Sequence, residues 1–325
     1  MSSFDVAAAL GLPALPSHIA RVEQKLTEIL PPDNPYLSEP VARLLQSGGK
    51  RLRPSLVIAV AASQGKKIND KVITSCAAIE LLHVASLVHD DIIDNAASRH
   101  KTPTINHREG VNHAIIVGDY LLAKSGEQAA MAGREIAQTV AAAFAFMCDG
   151  QARELADTDN LNRTQASYIQ AVNGKTAALF AAACKVGGLC ADLPKTQVIA
   201  LARYGEDFGM AYQLIDDILD FVATSDSLSK PTDVDARQGN YTLPVLLALG
   251  GPNGKTFETL LLDQRLPGEP LTDALLKDNY IDQSIRKART YSRRALHALS
   301  ALGESFGLEN LPPAFMEWAL AQHLE

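Results

Sequence analysis

The sequence predicts an all-α fold. Apolar residues recur at helical spacing along most of the chain, alanine, the best helix former, collects in runs such as 140–145, and the signals of β-strands are scarce. A first long helix is predicted over 54–63, through SLVIAVAAS, and a second over 70–95, whose apolar run LLHVASLV leads into aspartates. Helices over 112–132 and 134–149 follow, the latter carrying the alanine run. A polar loop over 157–162 precedes a T-x-x-x-Y segment that opens at Thr164, inside a helix predicted over 163–189. The helix over 196–222 again ends in aspartates and gives way to a second polar loop over 225–239. Beyond it, residues 250–254 and Pro312-Pro313 punctuate shorter helices, expected to cover the bundle and to carry no active-site chemistry.

No Ser/Gly/Pro-rich linker or sustained charge run divides the 325 residues, so one domain over 1–325 is expected, loose only at its ends. Apolar residues make up 47% of the chain and aromatics 6%, a balance that fits a sizeable aliphatic core. The formal charge of -7 argues against a general nucleic-acid binder, and any phosphate site must therefore be local. Cys76, Cys148, Cys184 and Cys190 have neither zinc-site spacing nor the density of a disulfide framework, and are expected to be reduced and buried. The N-terminus lacks the basic start and continuous apolar stretch of a signal peptide, and no segment is expected to supply the roughly twenty apolar residues that span a bilayer. A cytoplasmic protein is the expectation.

The pattern DDxxD occurs twice: Asp90, Asp91 and Asp94 end one apolar helical run, and Asp216, Asp217 and Asp220 end another. Residues four apart project from one helical face, so the outer aspartates of each cluster can reach a common ion. Magnesium prefers oxygen ligands and commonly bridges one or two carboxylates to substrate phosphates, and two clusters suit a diphosphate held between them. An isolated cluster could equally be a solvated helix end; two copies, each behind a strongly apolar run, weigh against that. Zinc is disfavoured because thiolates and convergent histidines are missing from the pattern. His83 precedes Asp90 by seven residues and falls close to the same helical stripe, although a core histidine satisfied by hydrogen bonding is its bland alternative.

Gly48-Gly49-Lys50-Arg51-Leu52-Arg53-Pro54 sets three cations beside two glycines, which would let backbone approach an anion closely. Taken in order, GGKRLRP, the two DDxxD clusters, GDYLLAKS, GKTAALF and GNYTLP resemble the trans-isoprenyl diphosphate synthases, and RQGNYTLPVL resembles the heptaprenyl type. The resemblance covers residues from about Gly48 to Leu249. It implies an isoprenoid-synthase-type bundle of about ten core helices around a deep apolar cavity, assembled as a homodimer. It also implies a prenyltransferase that condenses isopentenyl diphosphate with an allylic diphosphate such as farnesyl or geranylgeranyl diphosphate. Three magnesium ions would be held by Asp90, Asp94 and Asp216 with support from Asp91, Asp217 and Asp220. Arg99, Lys175 and Lys230 would hold the allylic diphosphate, and Lys50, Arg53 and His83 the isopentenyl diphosphate.

In that chemistry the ions and cations neutralise the departing diphosphate, an allylic carbocation forms, and the released diphosphate takes up the proton, so no protein nucleophile is required. Thr176 and Gln213 match positions whose dipoles stabilise positive charge, alongside Lys175 and Lys230. The family's length-limiting position, five residues before the first cluster, is Ala85 here, followed by Ser86. A small residue about 7.5 Å below Asp90 would admit the chain toward Leu82, so a product longer than geranylgeranyl diphosphate is expected. Two departures stand out: His100 replaces a second arginine that would contact isopentenyl diphosphate, and Asn240 replaces a lysine common among relatives. They keep open a second role, a weak or regulatory subunit of a heteromeric synthase, or one that needs a small partner subunit.

Overall fold

The computed structural model describes residues 4–30, 34–46, 48–99, 102–222, 234–262, 269–300, 302 and 305–321. At its centre lies the helix predicted from LLHVASLV. It spans Asp70–Ile93, opens at Asn69, whose side chain accepts from the Val72 amide at 3.1 Å, and buries residues around its whole circumference. Such a helix belongs in the middle of a bundle. Contrary to expectation it is long and apolar enough to cross a bilayer by length and composition, yet 72% of its apolar window is buried inside the protein.

In chain order the helices are α1 (Val6–Ala9), α2 (Leu15–Glu28), α3 (Pro35–Gln46), α4 (Leu52–Ala62) and α5, the central one. The antiparallel pair β1 (Ser98–Arg99) and β2 (Thr102–Pro103) follows, the only strands among the described residues. Next come α6 (Ile105–Arg108), α7 (Val111–Ala132), α8 (Arg134–Ala156), α9 (Gln165–Val172), a π turn (Asn173–Ala177), α10 (Ala178–Cys190) and α11 (Lys195–Val222). The chain closes with α12 (Val234–Arg237), α13 (Leu243–Leu249), α14 (Gly254–Leu262), α15 (Glu269–Lys277), α16 (Tyr280–Ser300) and α17 (Leu311–Ala321). Helix α5 packs on α7, α4 and α2; α11 packs on α10 and α16.

Three expectations are corrected. Cys148 is exposed, while the other three cysteines are buried and all four are free. The described end of the second polar loop contains the helical turn α12, and Lys230 lies outside the described residues. The C-terminal third is not built of short helices alone, because α16 runs for 21 residues with one buried stripe against α11.

The helix expected over 163–189 is interrupted by the π turn, whose wider winding shifts the face on which the next residues stand. Helix α8 crosses it at backbone contact: a Cβ on Gly150 would lie 2.2 Å from the Lys175 amide nitrogen, and one on Gly174 2.6 Å from the Phe146 carbonyl. Paired glycines permit that approach, and it presses Lys175 and Thr176 toward the bundle's open end.

Candidate active site

Helices α5 and α11 end at the same mouth, a cavity of about 680 Å3 walled by Asp90 and Asp94 on one side and Asp216 and Asp217 on the other. Both clusters sit in the last turns of their helices, where the partial negative charge of the helix end disfavours anions, so cations must offset them. Arg53, Arg99 and Lys175 line the space between.

The middle aspartate of the first cluster does not face the cavity. Asp91 is buried and accepts from both Nε and Nη2 of Arg99, each at 2.9 Å, so it orients the arginine. Asp90 is pushed up to about 6 by burial, which outweighs the help of Lys175, and Asp94 is raised for the same reason. Two crowded carboxylates whose charged forms are both disfavoured by burial call for a cation of higher charge than the lysine supplies.

The second cluster is held by neutral donors. Tyr168 donates its hydroxyl hydrogen to Asp217, and Gln213 Nε2 donates to the other oxygen at 2.8 Å. Thr176 Oγ1 in turn donates to Gln213 Oε1 at 2.8 Å, which fixes the amide's orientation. Burial first, and then Asp216, carry Asp217 up to about 7 despite these bonds. Asp220 accepts the backbone N–H of Asp235, the second residue of α12, at 3.2 Å. Asp235 itself lines the cavity, raised well above the carboxylate range by burial and by Asp220, Asp217 and Asp216.

The cations divide by task. Arg51 has a left-handed backbone (φ 44°) and a buried side chain that reaches Glu80 at 2.6 Å and Glu23 at 2.5 Å, so it staples the glycine turn to α5 and α2. Arg53 lines the cavity, donates to His83 Nε2 at 3.1 Å and lies 4.4 Å from the Phe180 ring centroid. Since a guanidinium only donates, His83 accepts through an unprotonated nitrogen. Burial, then Arg53, Arg99 and Arg51, hold the imidazole well below its usual range. Lys50 stands off the cavity wall, its ammonium 4.0 Å over the Trp318 ring of α17. Lys175 is ion-paired with Glu154; burial opposes its charge, but Glu154 and Asp90 outweigh that and push it up.

Ser86 lines the main cavity and also an adjoining apolar cavity of about 440 Å3, bounded by Phe144 and Met147 of α8. Ala85 and Leu82 are sealed in the core. His100 lies outside the described residues, as Lys230 does. Sequence reasoning missed Glu154, Tyr168, Asp235 and Arg163. Tyr168 stood in the T-x-x-x-Y segment and Asp235 in the polar loop before GNYTLP, so both carried a positional signal; Glu154 and Arg163 carried none.

Among the described residues no three His, Cys, Asp or Glu side chains converge tightly enough to cage an ion alone. The donors that face the cavity are hard carboxylates, which suits a divalent ion completing its shell with phosphate oxygens and water. Asp90, Asp94, Asp216 and Asp217 are therefore fit to hold such ions.

Residues 34–268 match the family model described as polyprenyl synthetase. The chain is 36% identical to heptaprenyl diphosphate synthase component 2 of Geobacillus stearothermophilus over 89% of its own length and 91% of the relative's. It is 35% identical to nonaprenyl diphosphate synthase of Mycobacterium tuberculosis, over 80% and 78%. Its fold matches the polyprenyl synthase of Caulobacter crescentus, solved with calcium and isoprenyl diphosphate, at a TM-score of 0.87 and 27% identity, covering 99% and 100% of the two chains.

Proposed function

The chain belongs to the polyprenyl synthetase family and is a prenyltransferase, and from that premise we propose how its cavity works: it holds an allylic diphosphate between the two aspartate clusters and extends it with isopentenyl diphosphate to a product longer than geranylgeranyl diphosphate. The observation that carries this is the placement of Asp90, Asp94, Asp216 and Asp217 around one cavity with Arg53, Arg99 and Lys175 between them. Bound magnesium would neutralise charge on the departing diphosphate. Arg99, steadied by Asp91, and Lys175, steadied by Glu154, bind that diphosphate and hold the allylic carbon–oxygen bond toward the interior. Thr176 and Gln213 turn oxygen lone pairs toward the developing positive charge, and Arg53, set by His83, receives the second diphosphate. Lys50, resting on Trp318, is placed to follow when that substrate arrives.

Ser86 and the apolar space toward Phe144 and Met147 support the longer product, because they offer the hydrocarbon an apolar surface to follow. Exposed Ile115, Ile116, Met131 and Phe146 on α7 and α8 support a homodimer, whose second copy would cover them. A cytoplasmic setting belongs to the same proposal. The Geobacillus relative's name, component 2, favours a second role in which this chain needs a partner subunit.

The test is incubation of the purified chain with farnesyl diphosphate, labelled isopentenyl diphosphate and magnesium, with sizing of the products. Magnesium-dependent products beyond geranylgeranyl diphosphate are expected. No incorporation by the chain alone would favour the partner-dependent role; products ending at geranylgeranyl diphosphate would overturn the length assignment.

A further inference from the structure

Helix α16 has two unlike sides. Ile281, Ile285, Ala288, Ala295 and Leu299 are buried on one of them, and the helix packs against α11. On the other stand Arg286, Lys287, Arg289 and Arg293, all exposed, with Arg294 at the edge. At about 100° per residue the five cations fall within an arc of about 160° opposite the buried stripe, and with exposed His297 they run for about 16 Å along the axis. Asp282, in the first turn, is the one acid of the helix. The chain as a whole carries a formal charge of -7, so this face runs against the balance of the molecule.

Of the five, Arg294 alone has an ion-pair partner among the described residues. Its Nη2 lies 2.9 Å from the buried Asp207 of α11, and its guanidinium lies 4.8 Å from the Tyr291 ring centroid. Arg294 therefore belongs to the packing of α16 on α11. Arg286, Lys287, Arg289 and Arg293 face solvent with no carboxylate to offset them. Arg286 and Arg289 are three residues apart and Arg289 and Arg293 four, spacings at which like charges on a helix repel. Salt or an external anion relieves that repulsion.

The shape of the stripe selects among polyanions. With its other side buried on α11, the helix cannot enter a nucleic-acid groove, but its outer side can lie flat on a surface. A second copy of this chain would present the same charges and be repelled. A prenyl diphosphate longer than geranylgeranyl diphosphate partitions into a bilayer, because every buried CH2 favours lipid. The choice of a lipid surface rests on that proposed product; the stripe itself does not.

We propose that the outer face of α16 docks the protein on an anionic lipid surface, with Arg286, Lys287, Arg289 and Arg293 meeting the headgroup phosphates, so that the hydrophobic product is made beside the bilayer that takes it up.

The test is sedimentation of the full chain, without substrate, with vesicles of phosphatidylcholine containing about 30% phosphatidylglycerol. The parent should bind them, should leave pure phosphatidylcholine vesicles alone, and should be released when salt rises from about 50 to about 500 mM. Each cation beside an anionic surface contributes about fivefold, so Arg289→Gln should weaken partition about fivefold and the quadruple glutamine variant at least about a hundredfold. All four side chains are exposed, so that variant should keep the parent's melting temperature and its turnover of farnesyl diphosphate in vesicle-free buffer. A quadruple variant that sediments like the parent would overturn the proposal, as would a parent that binds neutral vesicles equally well. A parent that binds neither kind would leave the stripe a solvated face, and one that binds short duplex DNA more tightly than the vesicles would make it a nucleic-acid site; either result contradicts lipid docking. Because no substrate is present, these outcomes are separate from a failure to elongate farnesyl diphosphate, which would strike the proposed function instead.

Discussion

At the end of α5 the middle aspartate of DDxxD, Asp91, is neutralised by Arg99, and its neighbours Asp90 and Asp94 face Lys175 across the cavity. At the end of α11 the corresponding residue, Asp217, is held by the Tyr168 hydroxyl and the Gln213 amide, with a further acid, Asp235, close behind. The spelling is the same and the surroundings of the middle aspartates are opposite in kind: a guanidinium meets Asp91, neutral dipoles meet Asp217. The motif therefore specifies where carboxylates stand, and the residues packed against it decide whether each ligates, orients a cation or stores a proton.

The largest effect expected of that contrast is on turnover. Asp90→Ala and Asp216→Ala should each lower kcat by about 10^2 to 10^3, the cost of removing one preorganised electrostatic contact, whereas Asp220→Ala, at a carboxylate that holds the Asp235 amide of α12, should cost less than about tenfold. Equal losses at all three, in steady-state kinetics with saturating magnesium, would erase the distinction. Arg99→Met should come next: it leaves Asp91 buried without its partner, so both a fall in kcat and a loss of roughly 1–3 kcal/mol of stability are expected, read by urea denaturation.

The clusters should also differ in how acid affects the metal-free protein. The folded Asp217 carboxyl keeps its proton to about pH 7, while an unfolded aspartate loses it near pH ~4, so the folded state binds more protons between those values. Stability attached to this group is thus lost as pH rises through that window, and the penalty is complete above pH 7. Asp217→Asn should raise the free energy of unfolding at pH 8 in the presence of a chelator by an amount on the order of 2–4 kcal/mol, and change it little at about pH 4. A variant with the same difference at both values would show that the carboxyl does not titrate as its burial requires. The smallest effect belongs to Glu154→Gln. It frees Lys175 from its ion pair, so the KM for farnesyl diphosphate should shift only a few fold; KM measured across pH would detect it.

Much of this was legible in the chain because it is local. The helical periodicity of 70–95 and 196–222, and the four-residue spacing within each DDxxD, put the aspartates at helix ends with small error. Hidden was whatever depends on long-range approach. The π turn at Asn173–Ala177 forms where Gly150 lets α8 press against it, and nothing in GKTAALF marks a change of winding. Glu154 meets Lys175, Tyr168 meets Asp217 and Arg163 meets Asn240 across loops of 20 residues or more, so no window shows those pairs. By residue type the GGKRLRP run offered three cations, of which the resemblance selected Lys50 and Arg53; packing ties Arg51 to Glu80 and Glu23, sets Arg53 on the cavity and rests Lys50 on Trp318.

The claim on which the rest depends is that two clusters grip one diphosphate through shared metal. Calorimetric titration of inorganic pyrophosphate into the protein with magnesium present tests it directly, using the parent, Asp90→Ala, Asp216→Ala and the double variant. Each single variant should lose at least about tenfold in affinity and the double should lose little more than either, since a diphosphate released by one cluster is no longer presented to the other. Losses that simply add, or pyrophosphate binding that persists with a chelator in place of magnesium, would contradict it.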